Sequence, residues 1–253
     1  MIQILLSGAG GKMGQVISRS VSERVDCRIA AGIDRQSAAV DYPIFEKPSD
    51  CDVCCDVIID FSHPSLLEPL LDYAVSHKIP AVVCTTGLSP EQVDKLKQAA
   101  DKIPVFFSAN MSLGVSLLCE LAKKAAKVLG SDFDIEIIEK HHNQKLDAPS
   151  GTALALADSM NEALGNAYTY TYDRSKERKK REKTEIGISA VRGGSIVGEH
   201  EVIFAGLDEV IEFKHTAYSR SVFAKGAVQA AKFLSGKPAG FYDMGDVIKA
   251  TIA

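Results

Sequence analysis

The chain has 253 residues, 46% of them hydrophobic, and a formal net charge of −4, with a mean hydropathy of +0.02. That length and composition can build a substantial core in one large domain or two moderate ones. The acidic balance excludes a general attraction to nucleic acid or anionic lipid, and no apolar stretch approaches membrane-spanning length. Met1-Ile2-Gln3-Ile4-Leu5-Leu6-Ser7 has no charged leader and runs straight into a glycine turn, so no secretory signal is expected. Six cysteines in a chain of this size argue for reduced thiols rather than a disulfide framework, and Cys51-Asp52-Val53-Cys54-Cys55 lacks a second ligand pair for a metal.

The first half alternates short apolar runs at 2–7, 27–33, 56–61, 80–84 and 104–107 with helical patterns at about 11–24, 64–77 and 90–101. That alternation predicts a parallel sheet covered by helices. Ser7-Gly8-Ala9-Gly10-Gly11-Lys12-Met13-Gly14 follows the first strand and opens the first helix. Gly8 suits the tight turn, Gly10 and Gly11 allow close approach of a pyrophosphate, and Gly14 allows close helix packing. Asp34 closes the second strand, where an acid accepts hydrogen bonds from ribose hydroxyls, and Arg35 beside it can neutralise a 2′-phosphate or stack on adenine. Thr85-Thr86-Gly87 and Ser108-Ala109-Asn110-Met111 end two further strands at the ligand-binding edge. His63, in Asp60-Phe61-Ser62-His63-Pro64, reads as a capping or packing residue.

A helix at about 112–130 leads away from this pattern and ends at Gly130. Beyond it come a strand over 134–139, a helix at about 150–164 and strands near 184–192, 196–205 and 209–217, the last two joined through Gly206-Leu207-Asp208. These predict a second domain with a mixed or antiparallel sheet. The run Lys176-Glu177-Arg178-Lys179-Lys180-Arg181-Glu182-Lys183 reads as a solvated, mobile loop. A helix at about 220–235 follows, and the tail to Ala253 is ambiguous from pattern alone.

The most informative stretch is His141-His142-Asn143-Gln144-Lys145-Leu146-Asp147-Ala148-Pro149-Ser150-Gly151-Thr152. It joins acid/base groups and a cation to a helix start, whose free N–H groups and dipole seat a carboxylate or phosphate. Successive strand side chains point to opposite faces, so His141 and His142 make a poor chelating pair and no metal is expected.

Together these motifs resemble the dihydrodipicolinate reductase family, the 4-hydroxy-tetrahydrodipicolinate reductases of bacterial lysine and diaminopimelate synthesis. The resemblance spans nearly the whole chain and includes Ala109-Asn110-Met111-Ser112-Leu113-Gly114-Val115 and Arg192-Gly193-Gly194-Ser195-Ile196-Val197-Gly198-Glu199-His200. It implies an α/β fold, with a Rossmann-type parallel-sheet domain over 1–112 and 218–253 and a mixed-sheet α/β substrate and tetramerisation domain over 113–217. It further implies NADH or NADPH as cofactor, a small dicarboxylate substrate and a cytoplasmic homotetramer. Carried over residue by residue, Gly8, Ala9, Gly10, Gly11, Lys12, Met13, Asp34, Arg35, Cys84, Thr85, Thr86, Ser108, Ala109, Asn110 and Met111 line the dinucleotide. His141 is then the acid/base residue and Lys145 the proton donor, while His142, Gly151 and Thr152 contact substrate. The implied reaction is NAD(P)H-dependent reduction of dehydrated 4-hydroxy-tetrahydrodipicolinate to tetrahydrodipicolinate. Two departures stand out: Asn143-Gln144 where the family often has basic residues, and Cys84 where a glycine is common. A different Rossmann-type reductase would share the first half but lack the histidine segment, and a nucleotide-sensing protein would bind without turnover.

Overall fold

The computed structural model describes residues 1–36, 39–108 and 110–252. The chain divides into two compact units, Met1–Leu113 with Arg220–Ala253, and Gly114–Ser219.

The first unit is built on β1 (Ile2–Ser7), β2 (Cys27–Ile33), β3 (Ile44–Phe45), β4 (Val57–Asp60), β5 (Ala81–Val83), β6 (Pro104–Phe107) and β12 (Gly240–Tyr242). They form one sheet in the order β12-β6-β5-β4-β1-β2-β3, and every pairing in it is parallel. The strands are apolar on both parities because both faces are covered. Ile4, Leu6, Ile59 and Phe106 pack with Ile17 and Val21 of α1 (Lys12–Ser22) and with Ala227 and Leu234 of α6 (Ser221–Leu234). Leu5, Ile58, Val83 and Val105 pack on the other face against Leu70 of α2 (Leu67–His77) and Leu96 of α3 (Pro90–Ala100). Ser89 caps α3 in a reciprocal capping box with Gln92. The tail, unreadable by periodicity, supplies edge strand β12 and α7 (Met244–Ile252). The two-residue β3 is too short to register as a periodic pattern, and β12, Gly240-Phe241-Tyr242, opens on a glycine rather than an apolar run.

Strand order reverses between β1 and β4, and the carboxyl ends of those strands open the crevice where open parallel sheets bind ligands. Gly8, at φ +80°, makes the turn there, and a Cβ on it would lie 2.7 Å from the Phe61 carbonyl oxygen.

The second unit carries β7 (Asp134–His141), β8 (Thr169–Thr171), β9 (Glu185–Arg192), β10 (Gly198–Ala205) and β11 (Val210–Ala217), ordered β11-β10-β7-β9-β8. β10 runs antiparallel to β7 and β11, whereas β9 runs parallel to β7 and β8, so the sheet is mixed as expected. Ile135, Ile137, Ile186, Val202 and Phe204 pack one face against Leu118 and Ala122 of α4 (Leu113–Leu129) and Leu156 of α5 (Gly151–Ala163). The basic run is less free than its composition suggests. Lys176 to Lys180 are exposed, but Arg181 is half-buried, 2.6 Å from Asp134, with a hydrogen bond to the Glu185 carbonyl. Arg174 pairs with Glu136 and Glu185 at 2.6 Å each. The loop is therefore pinned at two arginines, because acids on β7 and β9 face it.

Gly226 lies where α6 crosses the Met111 carbonyl, and a Cβ there would sit 1.6 Å from that oxygen. Gly226→Ala gains up to about 1 kcal/mol of helix propensity but must push backbone apart, so a net loss of about 1–3 kcal/mol is expected as a lowered urea midpoint.

Candidate active site

In the first unit, the loop from Gly8 to Gly14 is folded on itself. A Cβ at Gly14 would lie 2.2 Å from the Gly8 carbonyl oxygen and 2.5 Å from that of Ala9. The close approach that the sequence motif requires is thus to the loop's own backbone. Gly11 caps α1 without any side-chain hydrogen bond, and the helix has no acid in its first turn. Its leading N–H groups, with exposed Lys12 beside them, suit an anion such as a diphosphate.

Asp34 does more than wait for a ribose. Its carboxylate accepts from the Gly10 N–H at 2.8 Å and the Gln36 N–H at 2.9 Å, holding the glycine loop against the end of β2. Arg35 next to it is exposed. At the neighbouring strand ends, buried Asp60 accepts from the Thr85 hydroxyl at 2.6 Å and from the Ser62 N–H at 3.1 Å. The hydroxyl oxygens of Ser7 and Ser62 are buried with no hydrogen-bond partner among the described residues.

Several expected cofactor residues can offer only their main chain. Ala9, Cys84 and Met111 are buried in the core, and burial pushes the Cys84 thiol well up. Met13 packs partly against that core, whereas Thr86 is exposed. The Ser108 hydroxyl donates to the Asn110 carbonyl at 2.8 Å, and Asn110 Oδ1 accepts from the Ser112 N–H at 2.9 Å, shaping the turn after β6. Ala109 lies outside the described residues. His63 caps a short 3₁₀ turn through the Ser65 N–H, as expected.

In the second unit, β7 alternates half-buried and buried positions, so Ile135, Ile137, Glu139 and His141 share the inner face. Glu139 is fully buried. Its Oε2 lies 2.6 Å from His141 Nδ1, and Arg192, at the end of β9, donates to both of its oxygens at 2.6 and 2.7 Å. The Ser150 N–H donates to Glu139 Oε1 at 2.9 Å, which ties the start of α5 to the same carboxylate. Burial alone would raise the Glu139 carboxyl, but Arg192, His141 and the Ser150 amide outweigh it and hold the group below the usual range. The carboxylate is therefore ionised, the proton sits on His141 Nδ1, and Nε2 is left to exchange protons. Burial lowers His141 against the opposing pull of Glu139.

Ser150 caps α5 by accepting from the Ala153 N–H, and its hydroxyl also meets His200 Nε2 at 3.0 Å. His200 stands directly across from Glu139 on β10, edge-on to the His141 ring at 5.1 Å. The Arg192-Gly193-Gly194 turn accounts for its place beside the histidines: the Gly193 N–H donates to the His141 carbonyl at 2.9 Å and the Asn143 N–H to that of Gly194 at 3.2 Å. Lys145 closes a turn back to the His142 carbonyl, pairs with Asp147 at 2.8 Å and lies near enough for its charge to lower His141. Thus His141, His142, Lys145, Gly151 and Thr152 do converge on one turn and helix start. Glu139 was given no role by sequence reasoning, and neither were Arg192 and His200, although both stood in a segment that carried the resemblance. The available signal was an acid on the apolar parity of β7.

A seven-stranded parallel sheet with this glycine loop, joined to a mixed-sheet unit holding a carboxylate–histidine pair, defines a pyridine-nucleotide-dependent oxidoreductase of Rossmann type. Residues 2–111 match the family profile described as "Dihydrodipicolinate reductase, N-terminus", and residues 114–248 match "Dihydrodipicolinate reductase, C-terminus". The chain belongs to the dihydrodipicolinate reductase family. A relative from Clostridium novyi (strain NT), named 4-hydroxy-tetrahydrodipicolinate reductase, is 51% identical over 99% of each chain. One of the same name from Rickettsia rickettsii (strain Sheila Smith) is 43% identical over 98% of this chain and all of its own. The solved dipicolinate-bound dihydrodipicolinate reductase from Paenisporosarcina sp. TG-14 shares the fold with a TM-score of 0.81 at 24% identity, over 96% of this chain and 97% of its own.

Burial, and after it the charge of His141, brings His200 down to about 4, while Glu139 opposes and His215 and Lys145 add to the fall. The unfolded chain then binds more protons than the folded one below the ordinary histidine range, so stability is lost as pH falls from about 6.5 towards about 4. Unfolding free energy should drop by about 2 kcal/mol between about pH 7 and about pH 5. His200→Gln should flatten that slope in urea titrations at the two pH values. The lowered His141 and His215 leave a smaller residual slope of the same sign.

Proposed function

We propose that the protein reduces the dehydrated form of 4-hydroxy-tetrahydrodipicolinate to tetrahydrodipicolinate with NADH or NADPH, in lysine and diaminopimelate synthesis. The observation that carries this reading is the buried Glu139–His141 pair beside Lys145 and the α5 start, a proton-exchanging imidazole set against a seat for carboxylates.

The substrate is a cyclic imine with two carboxylates. The α5 start, through the Gly151 and Thr152 N–H groups and the Thr152 hydroxyl, holds one carboxylate, with Lys145 and His142 supplying charge and hydrogen bonds. The reduced nicotinamide, when bound, supplies a hydride to substrate C4. Electron density then runs towards the ring nitrogen and C3, and Lys145 delivers the proton that completes the reduction. His141 Nε2 serves as acid/base, with Glu139 fixing its tautomer. Without substrate, burial keeps His141 low; an arriving dicarboxylate adds negative charge and favours its protonated form.

The first unit is the dinucleotide-binding domain in this reading, and the second binds substrate and assembles the tetramer. The outer face of the second sheet supports that assembly: Ile138, Val191, Ile203 and Val210 lie there half-buried or exposed. Beside them Glu199 is paired with Lys140 and with Lys214, which hold it down at about 2. Free thiols throughout the described residues fit a reducing cytoplasm.

His141→Gln should lower kcat by about 10²–10⁴-fold while dinucleotide affinity stays nearly unchanged. The check is nicotinamide oxidation with enzymatically generated substrate alongside dinucleotide titration. A parent without turnover would sink the function, and a variant within a few-fold of an active parent would remove His141 from its role.

Asp34 favours a free 2′-hydroxyl and Arg35 a 2′-phosphate, so both cofactors should serve, with a lean to NADH of at most about tenfold to a hundredfold, roughly 1–3 kcal/mol. Arg35→Ala should raise KM for NADPH and spare NADH. Asp34→Ala should penalise NADH more and, by freeing the Gly10 and Gln36 amides, loosen the glycine loop as well. These are read as kcat/KM for both cofactors, and equal harm to both from Arg35→Ala would discard the phosphate role.

A further inference from the structure

The donors assigned above to a substrate carboxylate already face one within the protein. Lys145 Nζ lies 2.8 Å from Asp147 Oδ1, and among the described residues Asp147 is the carboxylate that pairs with it. The main chain of Asp147 is fixed, since its carbonyl accepts from Arg192 Nη2 at 2.7 Å while Arg192 grips buried Glu139. Its side chain, in contrast, is 57% exposed and can turn out to solvent without disturbing the core. The first turn of α5 contains no acid of its own; the Ser150 N–H is taken by Glu139, and the Gly151 N–H bonds to Asp147.

We propose that Asp147 is an affinity-setting residue, an internal carboxylate that a substrate carboxylate must displace from Lys145 and the α5 start. The inference rests on the dicarboxylate reading of this site. Consistent with it, Lys145 first, and more weakly the Gly151 N–H, hold the Asp147 carboxyl below its usual range. The first carboxylate to arrive thus exchanges one ion pair for another and gains little. Net binding comes from the remainder of the ligand, its second carboxylate above all, so the exchange keeps the absolute affinity for any carboxylate low while the second carboxylate alone sets the ratio between ligands. Solvent-exposed Asp147 then keeps its charge in water, which costs little.

The test is calorimetric titration of the intact protein with pyridine-2,6-dicarboxylate and pyridine-2-carboxylate, without turnover. Asp147→Asn should tighten both ligands by a similar factor, about 3- to 10-fold, since the displaced pair is common to both. Asp147→Ser provides a second variant. In a Lys145→Ala background the factor should shrink towards one, because the stronger of the two exchange partners is gone. Unchanged or weaker binding in both Asp147 variants would overturn the proposal and make Asp147 a support for Lys145. Failure of the parent itself to bind pyridine-2,6-dicarboxylate would overturn the dicarboxylate reading and this inference with it, whereas a binding parent with indifferent variants would sink the inference alone.

Discussion

The second unit depends on one buried carboxylate. Glu139 is removed from water between β7, β9 and the start of α5, and a bare charge there would be prohibitive. It is tolerated because Arg192 grips both oxygens while His141 and the Ser150 N–H supply further bonds. Breaking such a pair from one side costs about 3–5 kcal/mol, because the partner is left charged and dry. That stringency fixes three elements relative to one another and gives the histidine a single tautomer. Proton transfer needs such a fixed donor geometry.

The same arrangement couples the parts of the site. Arg192 reaches the Asp147 carbonyl as well as Glu139, and Ser150 joins Glu139 through its amide and His200 through its hydroxyl. His141, the start of α5 and the Lys145 turn therefore hang from one polar cluster at the ends of three strands. These shared bonds tie the cluster's geometry together, and neutral His200 joins it without adding charge, its Nδ1 left without a partner among the described residues.

In the first unit the governing constraint is steric. Gly8 and Gly14 leave no room for side chains, and Asp34 fastens the glycine loop at Gly10, so the carboxylate serves the loop whether or not a ribose is present. The central parallel strands and their helices were legible because mainly apolar runs alternate with amphipathic helical patterns. The edge strands β3 and β12 were not: β3 has two residues and β12 opens on a glycine, whereas equally short β5 stands out as the unbroken apolar run Ala81-Val82-Val83. The tie of Arg181 to Asp134 was also hidden, because composition describes charges in a loop without saying which acids face it.

The sequence by itself determined the family, the two-unit organisation, the glycine loop with its acid, and the segment from His141 to Thr152, since local spacing and turn chemistry are written in consecutive residues. Only the tertiary structure decided that Glu139, with the inward parity of an apolar position, meets Arg192 from a strand 53 residues away, and that His200 caps the cluster from β10. A pairing of that kind depends on strand register. Register is set by which hydrophobic faces find each other across the whole sheet.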